Sequence, residues 1–147
     1  MVHRTAKQMR GNFTPRKKGS ESPYFKGVGE LPMDFFNHIR QGATKPQKYR
    51  EAKEFTITIE YAWELYLKQG RKCALSGMDI GFLEREGSRG RRCSASLDRI
   101  DSAKGYVEGN VQWVHKHVNI MKNKYPLDYF LKLCHLIAQN ENQLTRH

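Results

Sequence analysis

The sequence predicts an α+β fold: a small single domain in which a strand, a loop, a second strand and a helix form a central unit, with flanking helices and a basic N-terminal arm. Three observations carry this expectation. Residues Ala95 to Ile100 alternate in polarity as a half-buried strand does, with Leu97 on one face and Ser96 and Asp98 on the other. Ile59, Ala62, Trp63 and Tyr66 recur at helical spacing. The length, 147 residues, suits one domain, and a chain of this size buries roughly two thirds of its unfolded surface.

Along the chain, residues 1–25 hold Arg4, Lys7, Arg10, Arg16, Lys17 and Lys18 against one acid, with Gly, Ser and Pro between them, which is the composition of a basic flexible arm. The domain is expected over 26–139, with its ββα core at about 94–124 and a frayed tail over 140–147. Leu31 to Ile39 form an apolar cluster that predicts a short helix, followed by a Lys- and Pro-containing loop from Gln41 to Tyr49. Thr58 is a good N-cap for a helix from Ile59 to Gln69, closed by Gly70, and its aromatics are expected in the core. Cys73 to Gly77 form a compact turn, and Glu84 to Arg92 a Gly- and Arg-rich loop in which Arg89, Arg91 and Arg92 are natural phosphate contacts. Val111 to Val114 predict the second strand, and His115 to Lys124 the helix after it. Beyond Pro126, the stripe Leu127, Phe130, Leu131, Cys134, Ile137 and Ala138 predicts a final helix packed on the domain, with Cys134 buried.

Only 38% of residues are hydrophobic and 28% are charged, so the core is expected to be modest. Lys and Arg outnumber Asp and Glu by 26 to 15, a formal charge of +11. Such an excess favours a polyanion, because neutralising phosphates releases condensed counterions. No apolar run approaches the ~20 residues of a membrane helix and the N-terminus has no apolar signal core, so no membrane partner is expected and the chain reads as soluble and cytoplasmic. Cys73, Cys93 and Cys134 are odd in number, widely spaced and contain no CxxC pair, which argues against both a disulfide framework and structural zinc. Monomer and homodimer are equally compatible with the sequence.

Chemistry concentrates in Ser94 to Lys124. In a strand–loop–strand–helix order, a carboxylate ending the first strand can face the first turns of the helix, where Asn119 and Asn123 lie four apart on one face. Oxygen donors of this kind suit a hard cation such as Mg²⁺, or Mn²⁺. A site with so little protein charge leaves room for water and a phosphate.

Cys73-Ala-Leu-Ser-Gly77, Ser96-Leu-Asp-Arg-Ile-Asp101, Gly105-Tyr106, Gly109-Asn-Val-Gln-Trp-Val114, Asn119 and Met121-Lys122 together resemble the HNH (ββα-metal) nucleases, and within them HNH-like proteins of bacteriophages, over roughly residues 55 to 138. The resemblance implies a nuclease fold acting on DNA with a divalent metal. It puts Asp98 on the first metal ligand, Asn110 on the loop-bracing Asn, Asn119 on the helical ligand, Lys122 on a frequent basic residue and Asn123 where some members carry a further metal-binding His.

One position departs from the pattern. The family's general-base His is Arg99 here, and a guanidinium cannot take a proton from water at neutral pH. His115, four residues before Asn119, is a candidate replacement, beside Asp101, Tyr106 and direct activation of water by the metal. Arg99 is then expected on the scissile phosphate, with Lys116 and Lys122 among the nucleic-acid contacts.

The first expectation is therefore a metal-dependent DNA endonuclease or nickase, with Asp98, Arg99, Asn110, Asn119 and His115 in the catalytic site and Asp98, Asn119 and Asn123 on the metal. The second is a degenerate HNH domain that binds DNA or a protein partner without cutting. An unrelated basic module, for example on RNA, is the third.

Overall fold

A computed structural model describes residues 25–82 and 93–144. The basic arm and the arginine loop with Arg89, Arg91 and Arg92 lie outside these residues. Among them the element order is β1 (Gly27–Val28), β2 (Leu31–Pro32), α1 (Met33–Thr44), α2 (Ile59–Lys68), β3 (Ala95–Arg99), β4 (Val111–His115), α3 (Lys116–Lys122), α4 (Leu127–Gln139) and α5 (Glu141–Leu144). Two small antiparallel sheets, β1–β2 and β3–β4, with helices around them make a mixed fold consistent with the α+β expectation.

The N-terminal apolar cluster does two jobs. Leu31 and Pro32 pair with Val28 and Gly27 across a turn at Gly29, whose backbone φ of +56 suits glycine and whose missing Cβ makes room for Trp63: a Cβ there would lie 2.1 Å from the indole. The helix after it runs to Thr44, past the expected end at Ile39, because the polar residues from Asn37 onward continue a solvated face while Ala43 stays buried.

α2 begins as expected: the Thr58 hydroxyl accepts the Tyr61 N–H at 3.2 Å, satisfying one of the donors that a helix start leaves open. Its inner face, Ile59, Ala62 and Tyr66, enters the core. Tyr66, Phe82 and Trp113 interlock there, with ring centroids 4.6 Å apart for Tyr66–Phe82 and 5.0 Å for Phe82–Trp113. Both polar handles are satisfied, the Trp113 indole N–H donating to the Ala62 carbonyl at 2.7 Å and the Tyr66 hydroxyl to Ile80 at 2.6 Å. Burial, helped by the Glu30 charge, pushes the Tyr66 phenol up to about 12.

β3 and β4 pair in register, with Leu97 opposite Trp113 and Asp98 opposite Gln112. Side chains alternate across a strand, so the Leu97–Trp113 face meets α2 and the aromatic cluster. The opposite face meets α3, which reaches Ser96 through Asn119 and Asp98 through Lys122. The outer edge of β4 is closed by the Gln69 side chain, which accepts the Trp113 N–H at 2.9 Å and donates to its carbonyl at 2.8 Å, taking the place of a further strand.

The C-terminal helix departs from expectation. α4 buries only Phe130, while Leu131, Leu136 and Ile137 are exposed, Ile137 by 62%, and Cys134 is only partly buried. Its apolar periodicity is real, but among the described residues the domain covers only part of the stripe. In the expected frayed tail, Glu141–Leu144 form a single helical turn.

Candidate functional site

The loop joining β3 to β4 is organised around Asn110. Its side-chain oxygen accepts the Asp101 N–H at 2.9 Å, and its amide donates to the carbonyls of Gly105 at 2.9 Å and Asp101 at 3.1 Å. Asn110 is buried, so these bonds satisfy a polar group that would otherwise be costly inside the protein. Asp101 turns the same loop by accepting the Ala103 N–H at 2.9 Å. Gly105 lets the loop press on the segment before α2: a Cβ there would lie 2.5 Å from the Glu54 carbonyl, which accepts the Tyr106 N–H at 2.8 Å.

Arg99 belongs to this loop as well. One guanidinium nitrogen donates to the carbonyls of Ser102 at 2.7 Å and Lys104 at 2.9 Å, and the group lies 5.4 Å from the centre of the Tyr106 ring. It makes no ion pair with Asp98 or Asp101 among the described residues.

Asp98 is 5% exposed and Lys122 is wholly buried. The Lys122 ammonium donates to one Asp98 oxygen at 3.1 Å and to the Arg99 carbonyl at 3.1 Å, while the Gln112 amide donates to the other Asp98 oxygen at 3.0 Å. The Asp98 carboxylate is thus neutralised by a cation of the chain itself and braced from the facing strand. This arrangement corrects the expectation for Lys122: an ammonium enclosed by Asp98 and the β3 backbone is not presented to a nucleic-acid phosphate.

Of the other expected site residues, Asn119 shares the Asp98 side of β3, while His115 lies at the other end of the hairpin. Asn119 donates its amide to the Ser96 hydroxyl at 2.7 Å, two residues before Asp98 on the same side of β3. Asn123 is the exposed C-cap of α3, with a φ of +50 and its backbone N–H donating to the Asn119 carbonyl at 3.0 Å. His115 ends β4 opposite Ala95, about 10 Å along the strand from the Asp98 position at the usual strand rise. Its ring nitrogen caps α3 by accepting the His117 N–H at 3.2 Å, and the two rings are 5.0 Å apart. His115 therefore stands at the far end of the hairpin from the carboxylate. Lys116, half-buried, opens α3, its backbone N–H donating to Ser94.

No group of three or more His, Cys, Asp or Glu side chains able to hold a divalent metal occurs among the described residues. Asp98, the one buried carboxylate among the described residues, already faces the Lys122 ammonium, so a metal there would have to displace a full positive charge. Ser96 and Gln112, the partners of Asn119 and Asp98, were not among the expected site residues. Gln112 was accessible from the sequence, since closing the hairpin around its loop sets it opposite Asp98.

No helix among the described residues is long and apolar enough to cross a membrane. The chain matches no protein-family model, no curated protein and no solved structure significantly.

Proposed function

We propose that this chain is a DNA-binding module of HNH-like build that does not cut DNA in the arrangement described. The buried Asp98–Lys122 pair carries the reading. Metal-assisted phosphodiester hydrolysis needs a carboxylate free to hold a cation and a group to accept the water's proton. Here the carboxylate has its cation, the position of the base is Arg99, and His115 is at the wrong end of the hairpin. Binding needs none of these. The charge of +11 supplies the attraction, and the Arg99 donors that make no bond within the described residues are available to a phosphate oxygen.

The metal-dependent endonuclease or nickase remains as a second reading, favoured by a specific observation: Asn119 and Asp98 converge on one side of β3, and each carboxylate oxygen has a second lone pair. Under that reading Lys122 must leave Asp98 first.

A nicking assay on supercoiled plasmid with Mg²⁺ or Mn²⁺, run beside a DNA-binding titration at several salt concentrations, separates the two. Salt-sensitive binding with no metal-dependent nicking is expected. Nicking by pure protein that Asp98→Ala abolishes overturns the non-cutting reading, and absence of DNA binding at low salt overturns both.

A further inference from the structure

The loop after α1 presents a second chemistry. Gln47 and Arg50 exchange two backbone hydrogen bonds, at 2.9 and 3.0 Å, which close a tight turn with Lys48 and Tyr49 at its tip. The turn is tied down on both sides, by Lys45 N–H to the Gln41 carbonyl at 3.1 Å and by Lys53 N–H to the Ala43 carbonyl at 2.8 Å. Tyr49 is 84% exposed. An aromatic ring held at the tip of a braced turn gains nothing from the core and is set out toward solvent.

Its surroundings are cationic. Lys45, Lys48, Arg50 and Lys53 lie within nine residues, with Glu51 as the sole acid among them, and none of the four forms an ion pair within the described residues. The Lys48 ammonium sits 5.3 Å from the centre of the Tyr49 ring, an arrangement that orients the ring through its quadrupole. A stacking surface flanked by unpaired cations is the combination that binds an unpaired base and its neighbouring phosphates.

We propose that the Gln47–Arg50 turn is a contact for single-stranded DNA, with Tyr49 stacking on one unpaired base and Lys45, Lys48 and Arg50 on the flanking phosphates. The proposal rests on the nucleic-acid reading above and adds where, and to what form of DNA, the chain binds. A duplex keeps its bases stacked on one another, so the Tyr49 ring finds a free face only on a single strand or at an opened base.

The test is fluorescence anisotropy of the full chain with a labelled oligo-dT, an abasic strand of equal length and a duplex, using wild type, Tyr49→Ala, Tyr49→Phe, Lys48→Ala/Arg50→Ala and, as a charge control outside the turn, the exposed Lys68→Ala at the end of α2. All substituted residues are at the surface, so folding is preserved. Tyr49→Ala should weaken oligo-dT binding roughly 5- to 150-fold, as loss of one stacked base does, with no change in salt dependence and no effect on the abasic strand. Tyr49→Phe should bind as wild type. Lys48→Ala/Arg50→Ala should lower the salt slope by about 1.4, for two phosphates on a single strand, and Lys68→Ala should leave the preference for oligo-dT over the abasic strand intact. Wild-type binding to oligo-dT that Tyr49→Ala leaves within twofold overturns this proposal alone, as does equal binding to the dT and abasic strands. Failure of wild type to bind any of the three overturns the nucleic-acid reading with it.

Discussion

Leu97 and Trp113 face each other on one side of the β3–β4 hairpin and bury themselves against α2 and the aromatic cluster; one step along the strands, Asp98 and Gln112 face each other on the other side, and Asp98 is buried just as deeply beside Lys122. The first pair is held by non-directional burial and close packing, the second by two directed bonds to a carboxylate. Packing loses stability in proportion to what is removed. A buried charge pair loses most when one partner goes and little when both do. The same hairpin therefore carries one side that degrades gradually and one that is close to all-or-none.

The largest effect is expected on the apolar side. Trp113→Ala removes the most voluminous fully buried side chain among the described residues, takes away the indole N–H that the Ala62 carbonyl accepts and opens a cavity beside Phe82 and Tyr66. Urea denaturation should show a loss of about 3–5 kcal/mol. A loss below ~1 kcal/mol would mean that this face does not hold the domain together.

On the polar side, Lys122→Met leaves Asp98 buried and uncompensated, a change that typically costs about 3–5 kcal/mol and here falls toward the lower end, because Gln112 still donates to the carboxylate. The freed carboxylate also gains a use. Mn²⁺ should raise the unfolding midpoint of Lys122→Met while leaving wild type unchanged, since a ligand that binds only the folded state stabilises it. A wild-type midpoint that rises equally with Mn²⁺ would show that Lys122 does not close the site.

A pH titration probes the apolar side more gently. The Tyr66 phenol is raised from an ordinary value near ~10 to about 12, chiefly by burial, so the folded state holds its proton where the unfolded chain has released it. Stability from this group is complete below pH ~10 and is lost as pH rises through about 12. The difference between wild type and Tyr66→Phe should therefore be constant from pH 7 to 9 and shrink above 10. A constant difference up to pH 12 would remove the phenol from the alkaline transition.

These two faces were not equally legible. α2 could be read from Thr58 and its apolar spacing, and β3 and β4 from alternation, because local propensity and burial agree there. α4 shows the limit of periodicity: a stripe announces that a face is apolar and says nothing of what covers it, and here only Phe130 is covered fully. At the site, Asp98 and Asn110 stand out as polar residues in and beside a strand. Lys122 reads as a surface cation, since lysine is almost never fully buried unless paired, and its partner is 24 residues away. Nor does the sequence around Asn123 signal the positive φ at which α3 ends after a single short run.

The smallest change is expected when both charges leave together. Asp98→Asn/Lys122→Met removes the carboxylate and the ammonium at once and keeps a side-chain oxygen for the Gln112 donor, so the double variant should lie within about 1 kcal/mol of wild type. Its stability should also be indifferent to Mn²⁺, since the charged donor that Lys122→Met exposes is gone. The coupling between the two substitutions, obtained as the double loss minus the two single losses, should then be large and favourable, whereas residues that do not interact add to within a few tenths of a kcal/mol. A double variant as unstable as the sum of its singles would mean that Asp98 and Lys122 are each held by other partners. In that case the bond between them is incidental, and Asp98 is free to serve a metal after all.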